Sequence, residues 1–446
     1  MKLKNISLIN VAVYLTIFGY WYNLPVISTT IFGGYNEFRL YDLTFAILIV
    51  KLLTSGCYHE VLKSIKLNRA MKYLLRFSQW SSIMVVPTII YALITSNFIY
   101  VGMTIIFIYH LWGFLLFVAF VNTYYGGERL EKLLRWFLIL STAHLFLYYA
   151  QITGIVGHLW NERYIESYGE MAYSGTLGPN RVTPGMMTLL GSVISIFTLY
   201  RMPALKYTQA LAIVNLILAI PAIVMIGSRT TFVTLVIFLL IYLIFYKKTL
   251  IPLSFIIVPA LISIYSLILN PEQKERIKSN VEYNRDKLTR GKEIDDLTIV
   301  EGYYNIGDGR WEILTRYVPF LLDNPQIIPF GSGFNNRMYA YSTKAASPHN
   351  VYLSLINEVG LVGLFLYVSW LVSYLGFVRK YRKENYRHEG LGIMVSLSVA
   401  MLISLLAGEH LYVYRPCFAI MGTFLFVMTA ISIIVEEDYS AETQNV

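Results

Sequence analysis

Residues 347–368 read SPHNVYLSLINEVGLVGLFLYV, a polar start followed by an almost unbroken apolar run. Ser347 is a preferred N-cap residue and Pro348 is favoured at the first helical position, so the polar end has the features of a helix start. A helix of about 20 apolar residues crosses the hydrocarbon core of a bilayer. The stretch therefore predicts a membrane-spanning helix that begins at its polar end, with His349 in the first turn.

The composition of the whole chain agrees with a membrane protein. Of 446 residues, 56% are hydrophobic and only 14% are charged. A soluble domain of this length cannot hide so much apolar surface, whereas a bilayer makes its exposure favourable. The formal net charge of +9 would suggest nucleic-acid binding in a soluble protein. Here the basic residues fall mostly between apolar segments, so membrane topology explains them and nucleic acid is not expected as a partner.

Apolar runs of sufficient length give about twelve candidate spans. They lie near 5–22, 40–56, 78–95, 98–122, 133–154, 183–201, 207–226, 229–246, 249–269, 350–378, 391–408 and 413–434. The prediction is an all-α polytopic membrane protein in three parts. Residues 1–269 hold spans 1–9, residues 270–349 form a large extracytoplasmic loop with a surface helix, and residues 350–446 hold spans 10–12 and a cytoplasmic tail.

Lysine and arginine cluster in alternate connections between these spans. The clusters are Lys2 and Lys4; Lys63, Lys66, Arg69, Lys72 and Arg76; Arg129, Lys132 and Arg135; Arg201 and Lys206; Lys247 and Lys248; and Arg379, Lys380, Arg382, Lys383 and Arg387. With twelve spans all of them fall on one side, and basic connections are typical of the cytoplasmic side. Both termini are then cytoplasmic, and the loops near 155–182 and 270–349 lie outside.

Two segments on the outer side have residues that suit an anionic substrate. In GSRTT, residues 227–231, Ser228 has the properties of an N-cap and Arg229 falls in the first turn of the following helix. A helix N-terminus favours anions, and a guanidinium beside it suits a diphosphate. The alternative is an interfacial arginine that reaches towards lipid headgroups.

The second segment is GDGRWEILTRYVPFLLDNPQIIPFGSGFNN, residues 307–336. Arg310 opens a helically spaced apolar pattern, which predicts a helix along the membrane surface. The Gly331-Ser332-Gly333 turn lets the backbone bend closely back over a site. The alternative is an amphipathic surface helix whose charges have no special role.

His349 is the candidate proton acceptor on this face. The positive end of a helix disfavours an imidazolium, so its ring is expected to stay neutral, as a general base requires. The alternative is a hydrogen-bonded bystander. Glu358 lies roughly half a turn away in angle and is interpreted as structural. Arg181 and Arg415, both at predicted outer helix ends, are secondary candidates for binding.

Taken together, these motifs resemble one family. Arg229 after a glycine-serine turn, Arg310-Trp311 in the large loop, and GSGFNN followed by SPHNVYLSLINEVGLVG are similar to the O-antigen polymerase and ligase superfamily, the Wzy-like and WaaL-like membrane glycosyltransferases. The resemblance covers about residues 220–370 by motif and the remainder by helix count and topology.

The resemblance implies a metal-independent glycosyltransferase of the C class, with no cofactor, in the bacterial inner membrane. Its donor is a glycan on undecaprenyl diphosphate at the periplasmic face. His349 is then the base, and Arg229 and Arg310 stabilise the leaving diphosphate. Arg181, Arg415 and Asn350 are expected to bind substrate. Membrane lipids are expected partners, and a chain-length regulator and a flippase are candidate ones.

Three functions stay open at this point. The first choice is a polymerase that joins lipid-linked repeat units, and the second is a ligase that transfers the glycan to lipid A–core by the same chemistry. The third is a flippase for lipid-linked glycans, which can also have twelve spans. Transporters often have repeated halves with corresponding broken helices. This sequence shows no matching halves, which favours an enzyme.

Overall fold

A computed structural model of the chain describes most of the apolar segments. The described residues are 3–31, 34–96, 98–157, 173–178, 181–201, 206–246, 321–334, 350–406, 410–412 and 417–444, with a few single residues beside them. The predicted ninth span, residues 249–269, and most of the predicted large loop lie outside this part of the chain, as do Arg310, His349 and Arg415.

The described elements are mostly helices. In chain order they are α1 (Leu3–Trp21), β1 (Pro25–Ile31), β2 (Gly34–Arg39), α2 (Leu40–Thr54), α3 (Tyr58–Leu67), α4 (Arg69–Ile83), α5 (Val85–Thr95), α6 (Ile99–Tyr124), α7 (Gly127–Ile152), α8 (Val182–Arg201), α9 (Lys206–Ile226), α10 (Arg229–Tyr246), α11 (Ile327–Phe330), α12 (Val351–Lys383), α13 (Glu389–Ser404) and α14 (Phe418–Gln444).

Several of these helices have the length and hydropathy of membrane spans. Seven qualify among the described residues, or eight if α2 and α3, which meet at 111°, form one bent span. The chain is therefore a multi-pass, mainly helical membrane protein, as the composition predicts. Helices occupy each predicted span position that falls within the described residues. The total of twelve spans stays a prediction.

A β-hairpin between α1 and α2 departs from the expected all-α fold. Strands β1 and β2 pair antiparallel, with Thr30 opposite Tyr35. The PVISTTI sequence of β1 is rich in β-branched residues, which favour strands. The base of the hairpin is tied to the bundle by Arg39, whose Nε donates to the Asn23 carbonyl at 3.0 Å and whose backbone N–H donates to the Asp42 carboxylate at 2.6 Å.

Polar side chains inside the bundle join helices to one another, as expected for a membrane interior. The Asn215 amide donates to Ser141 Oγ at 2.9 Å and to Thr142 Oγ1 at 3.1 Å, and it accepts from Ser195 Oγ at 3.0 Å. This one side chain therefore connects α7, α8 and α9. His110 of α6 lies 2.6 Å from the Asp42 carboxylate of α2.

Helix α12 is broken at Gly360, which has φ +69° and ψ −175°. A break of this kind removes the usual intrahelical partners of the preceding carbonyls, and an unpaired carbonyl is costly in a membrane. Groups from other elements replace those partners. Ser332 N–H donates to Asn357 O at 2.9 Å, Gly333 N–H to Glu358 O at 3.0 Å, and Trp80 Nε1–H to Val359 O at 2.7 Å.

The segment 331–333 packs directly against this break. Gly331 and Gly333 both have positive φ, at +82° and +83°. A Cβ on Gly331 would lie 2.5 Å from Glu358 O, so only glycine allows so close an approach. The predicted glycine-serine-glycine turn is therefore confirmed, and the backbone that it approaches is the break in α12.

Replacing Gly360 with alanine should destabilise the protein. The backbone region of Gly360 is essentially restricted to glycine, and strain of this type costs about 1–3 kcal/mol. A Cβ there would also lie 2.5 Å from Gly331 N. We expect the apparent melting temperature in detergent to fall by roughly 5 °C or more.

Gly376→Ala is the matched control in the same helix. A Cβ at that position meets only Arg69 Nη1, at an ordinary 3.6 Å. The control should melt within about 2 °C of the wild type, because alanine is the better helix former. Equal melting temperatures for wild type and Gly360→Ala would show that the break does not depend on glycine.

Candidate functional site

The N-terminal ends of α8 and α10 meet at one end of the bundle. Gly185, in the first turn of α8, packs against Thr231, in the first turn of α10; a Cβ on Gly185 would lie 2.5 Å from Thr231 Oγ1. Arg181 directly precedes α8 and accepts through its carbonyl from Gly185 N–H at 3.3 Å. The side chain of Arg181 is exposed. The contact therefore places Arg181 and Arg229 at neighbouring helix starts.

Ser228 caps α10, as the sequence predicts. Its Oγ accepts from Thr231 N–H at 3.3 Å and from Thr231 Oγ1 at 2.9 Å. Gly227 precedes the cap with φ +70°, which turns the chain out of α9. Arg229 is the first residue of α10. Its backbone position is thus confirmed, while its side chain is outside the described residues.

The start of α12 differs from the prediction. Helix α12 begins at Val351, and its N-cap is Asn350, whose Oδ1 accepts from Tyr352 N–H at 3.0 Å and from Leu353 N–H at 3.2 Å. The predicted cap at Ser347 is wrong because asparagine, an equally good cap, lies closer to the apolar run. His349 then precedes the cap in sequence and is not in the first turn.

The start of α12 is joined to the end of α13. Val351 N–H donates to Leu405 O at 3.1 Å, and Tyr352 OH donates to Leu402 O at 2.5 Å. The chain continues from Leu405 towards Gly408, where a Cβ would lie 3.3 Å from Thr230 Cγ2 in the first turn of α10. The start of α8 therefore contacts the start of α10, which in turn lies beside Gly408, and the start of α12 is bonded to Leu405.

His410 lies two residues after Gly408, and the sequence analysis did not identify it as a candidate. It is fully buried, and its Nε2 lies 2.9 Å from Ser404 Oγ. Burial lowers the pKa of His410 to about 3, so the ring is neutral at physiological pH. Its only signal in the sequence is a histidine at the edge of an apolar run, close to the candidate Arg415.

The buried ring predicts a dependence of stability on pH. In the unfolded chain a histidine has a pKa of about 6.5, so the unfolded state binds the extra proton first as the pH falls. The folded state should therefore lose about 2 kcal/mol of stability between pH 7 and pH 5 through His410. Unfolding free energies in detergent at the two pH values measure this loss.

The variant His410→Gln isolates this contribution, because glutamine keeps a polar partner for Ser404 but does not titrate. We expect the variant to lose less stability than the wild type on acidification, by about the same 2 kcal/mol. A wild type and a variant with the same pH dependence would contradict a buried, neutral His410.

The arrangement is chemically suited to an anion. Three helix starts direct their partial positive charge towards one end of the bundle, and two arginines belong to those starts. The backbones of Arg181 and Arg229 thereby lie at neighbouring helix starts, and Asn350 precedes the third helix. Asn350 caps α12, and its predicted role in substrate binding stays a prediction. The roles of His349, Arg310 and Arg415 fall on residues outside the described part of the chain.

Part of the chain matches a known protein family. Residues 214–368, roughly a third of the chain, match the Wzy_C family model, described as O-antigen ligase. This stretch runs from the middle of α9 to the middle of α12 and includes Arg229, Arg310, His349 and Asn350. The match confirms the resemblance to the O-antigen polymerase and ligase superfamily over these residues. No curated protein matches the chain.

Proposed function

From the match of residues 214–368 to the O-antigen ligase family, we propose that this chain is a glycosyltransferase that polymerises lipid-linked glycans. The donor is an oligosaccharide repeat unit on undecaprenyl diphosphate, and the product is O-antigen or capsular polysaccharide. The observation that carries the proposal is the meeting of the starts of α8, α10 and α12, which brings Arg181 and Arg229 to one end of the bundle.

The proposed reaction is a displacement at the anomeric carbon of the donor sugar. The acceptor hydroxyl attacks that carbon and gives its proton to His349. The bond between the carbon and the diphosphate oxygen breaks, and the electron pair leaves with the diphosphate. Attack from the opposite side inverts the anomeric configuration.

The cations act on the leaving group. Negative charge on the diphosphate oxygen grows as the bond breaks, so a cation nearby stabilises the transition state more than the bound substrate. Arg229 and Arg310 supply this stabilisation without a metal ion. Arg181, Arg415 and Asn350 bind the remainder of the donor and the acceptor.

The proposed location follows from the charge bias of the sequence. The basic connections are assigned to the cytoplasm, which puts both termini there and the site on the periplasmic face of the bacterial inner membrane. The site then meets lipid-linked units after they have crossed the membrane. Such units would be supplied by a flippase, and the polymer would be limited by a chain-length regulator.

A ligase is the second candidate, and the description of the matching family favours it. A ligase uses the same donor, the same cations and the same base, but its acceptor is a sugar of lipid A–core. The resemblance of the α12 segment to polymerases favours the first candidate.

Deletion of the gene, followed by gel electrophoresis of surface glycan, separates the candidates. A polymerase predicts one repeat unit per core in the deletion strain. Loss of all attached glycan, with lipid-linked polymer still present, would instead identify a ligase. Repeat units trapped at the cytoplasmic face would contradict both enzymes and indicate a flippase.

A further inference from the structure

Helices α4 and α12 run antiparallel and enclose a cavity at the end of the bundle opposite the candidate site. They are joined near the Gly360 break, where Trp80 donates to Val359 O at 2.7 Å and the rings of Phe77 and Tyr367 lie 5.3 Å apart. The cavity lies between the start of α4 and the last turns of α12 and has a volume of about 730 Å³. We call it the α4–α12 cavity.

The mouth of the α4–α12 cavity is basic. Four cationic residues line it, and all of them are exposed: Arg69 from α4, and Arg379, Lys380 and Lys383 from α12. Arg69 is also the first residue of α4, so the partial positive charge of that helix start adds to its own. Such a concentration of positive charge is suited to a phosphate.

Aromatic and carboxylate groups decide which of these cations are best placed for a ligand. The guanidinium of Arg69 lies 5.9 Å from the centre of the Tyr73 ring, which also lines the cavity and holds this arginine at the mouth. Lys380 is set aside because its charge already interacts with the Glu436 carboxylate. Arg69, Arg379 and Lys383 are therefore the residues to test.

The wall of the cavity is partly apolar. Val372 and Leu375 of α12 line it below the cations, and Val372 keeps 43% of its surface exposed. An exposed valine on a spanning helix is suited to contact lipid chains, which are as apolar as the side chain. A free phosphate ion would not contact the apolar side chains of Val372 and Leu375. A phospholipid can place its phosphate at the basic mouth and its acyl chains along these two side chains.

We propose that the α4–α12 cavity binds the headgroup phosphate of an anionic phospholipid, with its acyl chains along Val372 and Leu375. By the charge bias of the sequence this lipid belongs to the cytoplasmic leaflet, where basic pockets between helices recognise such headgroups. The site is separate from the proposed glycan site and does not depend on the proposed activity.

The test uses the purified full-length protein, delipidated in detergent, with native mass spectrometry to detect bound lipid. Phosphatidylglycerol and phosphatidylcholine with the same acyl chains are titrated separately, and inorganic phosphate is added in a third arm. We expect one phosphatidylglycerol to bind in preference to phosphatidylcholine. The triple variant Arg69→Ala/Arg379→Ala/Lys383→Ala should bind phosphatidylglycerol at least about tenfold more weakly.

Two further variants control for general surface charge and for misfolding. Arg129→Ala/Lys206→Ala/Arg387→Ala removes the same charge at the same end of the bundle, outside the cavity, and should bind within about twofold of the wild type. Arg69→Lys/Arg379→Lys/Lys383→Arg keeps the charge and should keep most of the binding, which shows that charge and not misfolding explains the loss.

Some results would overturn the proposal. Equal losses in the cavity variant and the control variant would mean that diffuse surface charge attracts the lipid. Equal binding of the two phospholipids, which both contain a phosphodiester, would mean that the cavity does not select an anionic lipid. Displacement of phosphatidylglycerol by millimolar inorganic phosphate would identify a soluble phosphate, and not a lipid, as the ligand.

Discussion

Replacing His349 with alanine should abolish chain extension while the protein still inserts into the membrane. A positioned general base typically contributes 10²–10⁴-fold to the rate, and we expect a loss of about that size. The measurement is the length distribution of surface glycan in a deletion strain complemented with the variant, together with the amount of protein in the membrane fraction.

His59→Ala is the control for this prediction. His59 is an exposed histidine on α3, near the opposite end of the bundle, so its loss should leave the glycan ladder unchanged. A normal long-chain ladder in the His349→Ala strain would exclude His349 as the base.

Replacing Arg229 with lysine should reduce activity by about tenfold or more, and alanine should reduce it by about 10²–10³-fold. Lysine keeps the charge at the start of α10 but cannot form the two parallel hydrogen bonds that a guanidinium makes with a phosphate. The measurement is the initial rate of glycan transfer by the purified variants.

Arg129→Lys is a closely matched control, since Arg129 also lies in the first turn of a helix, α7, at the opposite end of the bundle. It should keep the wild-type rate. A wild-type rate for Arg229→Lys would mean that Arg229 only contacts lipid headgroups.

The sequence predicted those parts of the fold that depend on local chemistry. The length of the apolar runs predicts the membrane helices. Ser228 is predictable as a cap because its hydroxyl accepts a hydrogen bond from a backbone N–H in the first turn of the same helix. The glycine-serine-glycine turn at 331–333 was also recognised, because two glycines so close together indicate unusual backbone. Polar residues in apolar runs, such as Asn215, predictably face the bundle because lipid chains offer them no hydrogen-bond partner.

The features that the sequence missed depend on tertiary contacts. Gly360 alone does not predict a break in α12; the break is stable because Ser332, Gly333 and Trp80 supply hydrogen bonds from distant parts of the chain. His410 is buried with its ring beside Ser404 of α13, and one histidine at the edge of an apolar run does not indicate this.

Two further differences from the prediction concern single segments, the cap of α12 and the hairpin 25–39. Ser347 and Asn350 are both good caps within four residues, and only the folded helix shows that Asn350 is used. The hairpin 25–39 lies between the predicted spans 5–22 and 40–56, where an all-α prediction places no strand. Its β-branched residues were the signal, and pairing with β2 through Thr30 and Tyr35 is what makes them a strand.

The most direct test of the proposed function is glycan transfer by the purified protein. The full-length chain is reconstituted in liposomes with repeat units on undecaprenyl diphosphate as the only glycan. We expect a ladder of lengthening glycan and the release of one undecaprenyl diphosphate for each new glycosidic bond. Repeat units that stay single, or that only cross the bilayer, would contradict it.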